Sequence, residues 1–264
     1  MENENKNKKI RNPFPWIGKV FKYEMKQSVR TLLPIYIVTI VFAFLTGIFY
    51  SNDATEKVFS GFSISITGND NKITGFMAFF YFILLVATAA VSVSMLAKRF
   101  KSGLLEDEAY LNLALPVTIG EHLWGRILTV LVWALAYIIM LILSFSLLME
   151  KWYWSSGNFA EDIEQTFAFI SAFLMGAMAL MMFIYCINAI GHLSKKHRGA
   201  VKVLAVIVIA SVSSRLFGNM SYEYFSNTND SFGVLYLAAL FEALLSVIFG
   251  TVTYFILNLK LNLE

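Results

Sequence analysis

The chain has 264 residues, of which 58% are hydrophobic and 15% charged, with a formal net charge of +3 at pH 7. A soluble domain has about 45–50% apolar and about 25% charged residues, so a globule this apolar cannot cover its surface with polar groups. The composition therefore excludes a water-soluble enzyme and a disordered chain. It predicts an all-α polytopic membrane protein, because the apolar runs are continuous and do not alternate as in a transmembrane β-barrel.

Several site chemistries are excluded by the residues themselves. The single cysteine, Cys186, cannot form an intramolecular disulfide or a cysteine-based zinc site. The sequence contains neither an HExxH pattern, which marks metalloproteases, nor a GxxxxGK[ST] phosphate loop. We therefore expect no metal and no cofactor on this chain, and no ATP hydrolysis by a phosphate loop of its own.

Residues 1–31 are the predicted cytoplasmic N-terminus and contain an amphipathic helix. At 100° per residue its apolar and basic side chains fall on different faces; they are Phe14, Ile17, Phe21 and Met25, and Lys19, Lys22, Lys26 and Arg30. This pattern is typical of a helix that lies in the membrane plane with its basic stripe against anionic lipid, so membrane lipid is a predicted partner. Pro34 would then permit a turn into the first span. The alternative is a straight extension of the first span into the cytosol.

Six apolar runs have the length of a membrane-spanning helix. They cover residues 32–50, 74–97, 127–149, 166–190, 200–218 and 233–257, within a transmembrane domain of residues 32–257 and before a short tail of residues 258–264. Most of the 21 lysines and arginines fall on the side of the N-terminus. The positive-inside rule therefore predicts a multi-pass protein of the cell membrane with both termini in the cytoplasm. This topology explains the basic face, so no nucleic-acid partner is expected.

The connection between the second and third spans reads KRFKSGLLEDEAYLNLALPVTIGEHLWGR. Its acidic run stands on a side that is otherwise basic. Ser102 and Gly103 can begin a short helix, acids near a helix start are favourable, and Pro116 ends the element. The predicted cytoplasmic helix covers residues 104–113 and includes Leu104, Leu105, Glu106, Asp107, Glu108, Ala109, Tyr110 and Leu111. It either inserts into a groove of a cytoplasmic partner or packs on its own bundle, and periodicity leaves both open.

Two stretches of the chain resemble a known family. Residues 107–117 read DEAYLNLALPV and precede a helix that reaches Trp133, and residues 21–36 read FKYEMKQSVRTLLPIY. Both are similar to type-2 ATP-binding-cassette (ABC) permeases of Gram-positive bacteria, whose usual signature is close to DEGYLTLTLPV. Ala109 stands where that signature has glycine. The layout of an in-plane helix, six spans and cytoplasmic termini resembles the same family over most of the chain.

The resemblance implies the permease subunit of an ABC exporter. Such a subunit pairs with a second permease copy, as a homodimer or heterodimer, and binds separate ATPase subunits that hold ATP and magnesium. The short cytoplasmic helix would then be the coupling helix, seated in a cleft of the ATPase. The resemblance also implies that the first, second and fifth spans border the substrate path. The implied substrate is amphipathic: a peptide or toxin, a drug or a lipid-like molecule.

Among the polar residues inside the predicted spans, we single out Glu242, Arg215 and Asn188. Glu242 is about nine residues into the sixth span, or about 13 Å deep, where an acid is costly and should face the bundle or a wet cavity. Three interpretations of Glu242 are open from the sequence. Its carboxylate pairs with Arg215 of the fifth span, its carboxyl is neutral and hydrogen-bonded, or it lines a path for substrate or protons. Asn188, near the inner end of the fourth span, suits a capping or interface role.

Other functions for a six-span protein stay open. A secondary transporter would need paired broken helices or several membrane acids, and Glu242 alone qualifies. An intramembrane enzyme would need clustered catalytic side chains within the spans, which the sequence does not show. A non-transporting membrane anchor or sensor subunit is the alternative that the sequence excludes least.

Overall fold

Six long α-helices make up the computed structural model, which describes residues 14–50, 72–106, 117–148, 159–193, 197–228 and 231–260. The helices are α1 (Phe14–Tyr50), α2 (Lys72–Leu105), α3 (Ile119–Leu148), α4 (Phe159–Leu193), α5 (Arg198–Thr228) and α6 (Ser231–Lys260). No strand occurs among the described residues. The predicted all-α fold class is therefore confirmed.

All six helices are long and apolar enough to cross a membrane, with mean hydropathy between 1.9 and 2.6 in their most apolar segments. Each predicted apolar run corresponds to one of them, so the prediction of six helices long and apolar enough to span a membrane is confirmed. Several helices extend well beyond the predicted runs. The extensions at the starts of α1 and α3 and at the end of α2 lie at one end of the bundle. We call this end of the bundle the basic end, because Lys98, Arg126 and Lys202 lie there.

The helices pack in two groups that share one core. α1 lies mainly against α3 and also against α2, whereas α4 makes its most extensive contact with α6. α5 touches only α4 and α6 to any extent, and none of its described residues is fully buried. The largest fully buried side chains come from five helices; they include Leu32, Phe100, Met140, Tyr185 and Leu257. The exposed apolar surface of α5 is typical of a helix that faces lipid or another protein.

Buried polar pairs join α1, α2 and α3 inside the apolar region. Each pair is a side-chain hydrogen bond between two helices: Thr39 with Thr88 at 2.9 Å, Tyr36 with Ser92 at 3.1 Å, and Tyr81, which donates to Ser144 at 2.7 Å. In a membrane such bonds contribute about 0.6 kcal/mol each on average. Close backbone approach adds packing at the opposite end, because a side chain at Gly47 would overlap the carbonyl oxygen of Leu147.

The first helix differs from its prediction. α1 is continuous from Phe14 to Tyr50, with Pro34 inside it, so the predicted turn at Pro34 is wrong and the extension of the first span is the arrangement found. Proline removes one helical hydrogen bond at a cost of about 3 kcal/mol. Burial of Leu32 and Tyr36 on either side of Pro34 offsets that cost, since both pack in the core.

The two predicted faces of the N-terminal half of α1 are nevertheless distinct. The basic side chains are exposed; these are Lys19, Lys22, Lys26 and Arg30. On the apolar face, Phe14 is exposed. The side chains that follow it on this face are half-buried; these are Ile17, Phe21 and Met25. α1 approaches α3 closely here, because a side chain at Gly125 would meet Val20 at 2.7 Å. The apolar face of this half therefore packs on protein.

Replacing Gly125 by leucine should destabilise the contact between α1 and α3. Overpacking of this kind costs about 1–3 kcal/mol, and the obstructing atoms belong to the β-branched Val20, which cannot rotate away. We expect a lower midpoint of thermal unfolding for Gly125→Leu in detergent. Gly18→Leu is the matched control, because nothing lies within 4 Å of a side chain at that position. Equal midpoints for the two variants would contradict this packing.

Candidate functional site

Three charged side chains from three helices meet near the basic end. Arg126 Nε of α3 lies 3.1 Å from one carboxylate oxygen of Glu24 in α1, and Arg99 Nη1 of α2 lies 3.8 Å from the other. The side chain of Arg126 is only 6% exposed, and those of Glu24 and Arg99 are 15% exposed. We call these three residues the charged cluster. It links α1, α2 and α3 through a single carboxylate.

Aromatic contacts extend the charged cluster to α4. Arg126 Nη1 donates a hydrogen bond to the carbonyl oxygen of Phe100 at 3.2 Å, and the guanidinium lies 5.6 Å from the centre of the Phe100 ring. That ring stacks on the fully buried Tyr185 of α4, with 4.0 Å between ring centres and 11° between planes. A desolvated guanidinium over an aromatic ring gains up to about 2 kcal/mol. Four helices are therefore held together at this level.

A small cavity borders the charged cluster. Its lining consists of Glu24, Leu96, Arg99, Phe100, Arg126, Thr129 and Tyr185. The cavity leaves about 10 Å³ for the centre of a water molecule, which is close to the minimum that one water needs. It cannot admit a substrate of any size. The arrangement is thus suited to holding helices in register rather than to binding a ligand.

The sequence carries a signal for the charged cluster. Glu24 is the single acid between residues 5 and 52, and it stands within a strongly basic segment. Arg99 and Arg126 were counted only as topological charges. Their antiparallel helices bring them together because Arg99 lies in the last two turns of α2 and Arg126 in the first three turns of α3.

The charged cluster flanks the connection that was predicted to contain the coupling helix. Leu104 and Leu105 are the last residues of α2, and Leu104 is fully buried in the core. The prediction of a separate cytoplasmic helix that begins at Leu104 is therefore wrong. The reason is that Leu104 completes the apolar face of α2 against the bundle. Glu106 is exposed, whereas Asp107, Glu108, Ala109, Tyr110 and Leu111 lie outside the described residues.

Local polar contacts are present at both ends of this connection. At its start Lys101 forms an ion pair with Glu106, and the hydrogen bond from Lys101 lowers the pKa of the Glu106 carboxyl below its ordinary value. At its end the Thr118 backbone N–H donates to Glu121 Oε2 at 2.8 Å, and the Glu121 N–H donates to Thr118 Oγ1 at 3.3 Å. This is a capping box, which satisfies two free donors at a helix start.

The capping box corrects the predicted start of the third helix. α3 begins at Ile119, well before residue 127, where the apolar run begins. The motif T-x-x-E at residues 118–121 was visible in the sequence. It was missed because the span was delimited by hydropathy, and the first turns of α3 include polar residues such as the buried Glu121 and His122. The connection not described by the structure is thus confined to residues 107–116.

The predicted pair of Glu242 and Arg215 is not found. The ion pairs within 4 Å among the described helices join Glu24 with Arg99 and Arg126, and Lys101 with Glu106. Arg215 is exposed on α5. The Glu242 carboxylate instead lies against Gly176 of α4, where both of its oxygens would be 3.2 Å from an added Cβ. Of the three interpretations of Glu242, direct pairing is therefore wrong.

Asn188 has the interface role that its position suggested. Its side-chain oxygen accepts a hydrogen bond of 2.8 Å from the Lys202 ammonium, which joins α4 to α5. The methylene groups of Lys202 pass directly over Gly191, where any side chain would overlap them. Two small or polar residues of α4 thus accommodate one long cation of α5.

Six apolar helices of spanning length define the class of the chain as a multi-pass α-helical membrane protein. Comparison with protein-family models, with curated proteins and with solved structures gives no significant match. The function of the chain therefore has to be inferred from the arrangement of its own residues.

Replacing Glu24 by alanine should destabilise the protein strongly. Removing one partner of a buried ion pair leaves uncompensated charge and costs about 3–5 kcal/mol, and here it leaves two arginines. We expect a markedly lower midpoint of thermal unfolding in detergent for Glu24→Ala. Glu223→Ala is the control, since Glu223 is an exposed acid of α5. If both variants unfold at the wild-type midpoint, the charged cluster does not hold the helices together.

Proposed function

We propose that this protein is the permease subunit of an ABC exporter in the cell membrane, with both termini in the cytoplasm. The observation that carries the proposal is the position of the DEAYLNLALPV stretch. It follows α2 and precedes α3, and the adjoining ends of both helices are joined to α1 by the charged cluster. A segment held in this way can transmit a force from a cytoplasmic partner into the bundle.

The distribution of charge supports the proposed topology. Cations lie at the end of α2 and at the starts of α3 and α5, which is the same end of the bundle; examples are Lys98, Lys101, Arg126 and Lys202. Basic residues of a membrane protein are enriched on the cytoplasmic side. The exposed basic stripe of α1, with Lys19, Lys22, Lys26 and Arg30, lies at this end and suits contact with anionic lipid headgroups.

In the proposed mechanism, ATP and magnesium bind to a separate ATPase subunit and this chain has no catalytic role. The coupling segment begins after α2 ends and includes Asp107 and Glu108. When the ATPase pair closes, this segment moves with it. Arg99 and Arg126 then carry the motion to Glu24, so that the first span moves together with the second and third.

A second permease copy completes the proposed transporter. α5 has no fully buried described residue, which leaves its apolar surface for lipid or for the other permease. The substrate path would run between the two copies, bordered by the first, second and fifth spans as in similar permeases. A path of apolar side chains suits an amphipathic substrate, such as a peptide or toxin, a drug or a lipid-like molecule.

A secondary transporter is the second candidate, and Glu242 is the observation that favours it. The carboxyl lies in the apolar part of α6, and no described residue places a counter-charge within 4 Å of it. Transporters driven by protons use such residues. The exporter is preferred because the resemblance to the permease signature and the anchoring of its flanks are explained by it alone. A membrane anchor or sensor subunit explains neither.

Purification from native membranes in mild detergent, followed by mass spectrometry of the partners, tests the proposed function. We expect a soluble chain with a GxxxxGK[ST] loop at about one copy per permease. The double variant Asp107→Lys with Glu108→Lys should lose that chain, because reversed charges oppose docking, and it should insert into membranes normally.

The matched control for this experiment is Glu164→Lys with Glu223→Lys, which reverses two exposed acids on other helices. The proposal is supported if the control retains the ATPase and the double variant Asp107→Lys with Glu108→Lys loses it. Recovery of the wild-type protein alone from intact membranes would contradict the exporter and favour a secondary transporter or an anchor.

A further inference from the structure

Glu242 lies within a spanning helix, since the candidate span of α6 covers Gly233–Asn258. The exposed residues Leu240 and Leu244 are each two positions away and lie on the opposite side of α6, whereas the Glu242 carboxyl faces Gly176 of α4. The Glu242 side chain is half-buried. At this depth its exposed part meets the membrane interior and not bulk water, so a reagent reaches it through the membrane.

The carboxyl group has no polar partner for one of its oxygens. Oε2 of Glu242 is buried and makes no hydrogen bond within the described part of the chain. It lies against Gly176 of α4, whose missing side chain leaves the space that the carboxyl occupies. The small residue therefore admits the carboxyl into the contact between α4 and α6 but offers it no hydrogen-bond donor.

The helices packed on α6 supply no counter-charge at this depth. α4 has no titratable side chain between residues 165 and 184, and α3 has only Tyr137 between residues 127 and 148. α5 has only Arg215 between residues 203 and 221, and Arg215 is not within 4 Å of Glu242. An isolated ionised carboxylate in hydrocarbon costs far more than its neutral acid, so the group takes up a proton.

We propose that Glu242 is a proton-binding site within the membrane, which makes it a modification site for lipid-soluble carbodiimides. The proposal concerns the carboxyl alone and is independent of the ABC exporter, because it requires no ATPase and no transport. Its ligand is the proton. The protonated carboxyl donates to no fixed partner, so the proton can be exchanged with whatever enters the contact beside Gly176.

The modification reports the protonation state directly. The carboxylic acid transfers its proton to one carbodiimide nitrogen while its oxygen bonds to the central carbon and one C=N bond becomes a single bond. The acyl group of this O-acylisourea then migrates to nitrogen and gives a stable N-acylurea. All atoms of both reactants remain in the product, and no oxidant or reductant takes part. An ionised carboxylate with a fixed cation has no proton to transfer and does not react in this way.

The test uses the full chain in lipid vesicles treated with dicyclohexylcarbodiimide, with the adduct located by peptide mass spectrometry. We expect one adduct at Glu242, formed more slowly as the pH rises, and its loss in the isosteric variant Glu242→Gln. A water-soluble carbodiimide should modify the exposed acids Glu164 and Glu223 and leave Glu242 unmodified. Gel filtration of each variant confirms that it is folded.

Two further variants make the outcome decisive. Arg215→Gln should leave the labelling of Glu242 unchanged, because Arg215 does not neutralise it. Gly176→Leu should reduce the labelling, because the added side chain fills the space of the carboxyl. Absence of the Glu242 adduct from the folded wild-type protein would overturn the proposal. So would an adduct that forms only in Arg215→Gln, since it would show that the carboxyl is ionised and paired with Arg215 in the native protein.

Discussion

The carboxylate of Glu24 is shared by two arginines on two other helices, and the basic end of the bundle depends on it. Ion pairs on a protein surface contribute little, because water screens them and the side chains lose entropy. Here the three side chains are largely buried, and a buried charge without a partner is costly. The Glu24 carboxylate and the two arginines therefore stabilise one another. Phe100 and Tyr185 extend the link to α4 by stacking. A displacement of any one of these helix ends must therefore be shared by the others.

This constraint supports the proposal that the connection after α2 receives a force from a partner. Its entry follows the fully buried Leu104, and its exit is fixed by the capping box of Thr118 and Glu121. Deeper in the membrane, hydrogen bonds such as that of Thr39 with Thr88 keep α1, α2 and α3 together. These contacts link the three helices at two levels, as the proposed coupling between an ATPase and a substrate path requires.

The contacts among α4, α5 and α6 are of a different kind. α4 and α6 pack through small residues, and the space left by Gly176 admits the Glu242 carboxyl. α5 is held by fewer contacts, among them the hydrogen bond from Lys202 to Asn188. The Glu242 carboxyl lies within a span, whereas the charged cluster lies at a helix end. The protein thus separates a buried site in which two arginines share one carboxylate from a carboxyl that has no counter-charge within 4 Å among the described residues.

The sequence by itself determined the class of fold and the six helices of spanning length, because hydropathy and length depend only on local composition. It also determined the two faces of the N-terminal half of α1, since helical periodicity assigns them. Three results needed the tertiary structure. They are that α1 continues through Pro34, that Leu104 is buried, and that Arg126 lies beside Glu24. Each depends on which helices become neighbours. Periodicity tells which face of a helix is apolar, but only packing decides what that face meets and which charges from distant positions share one buried site.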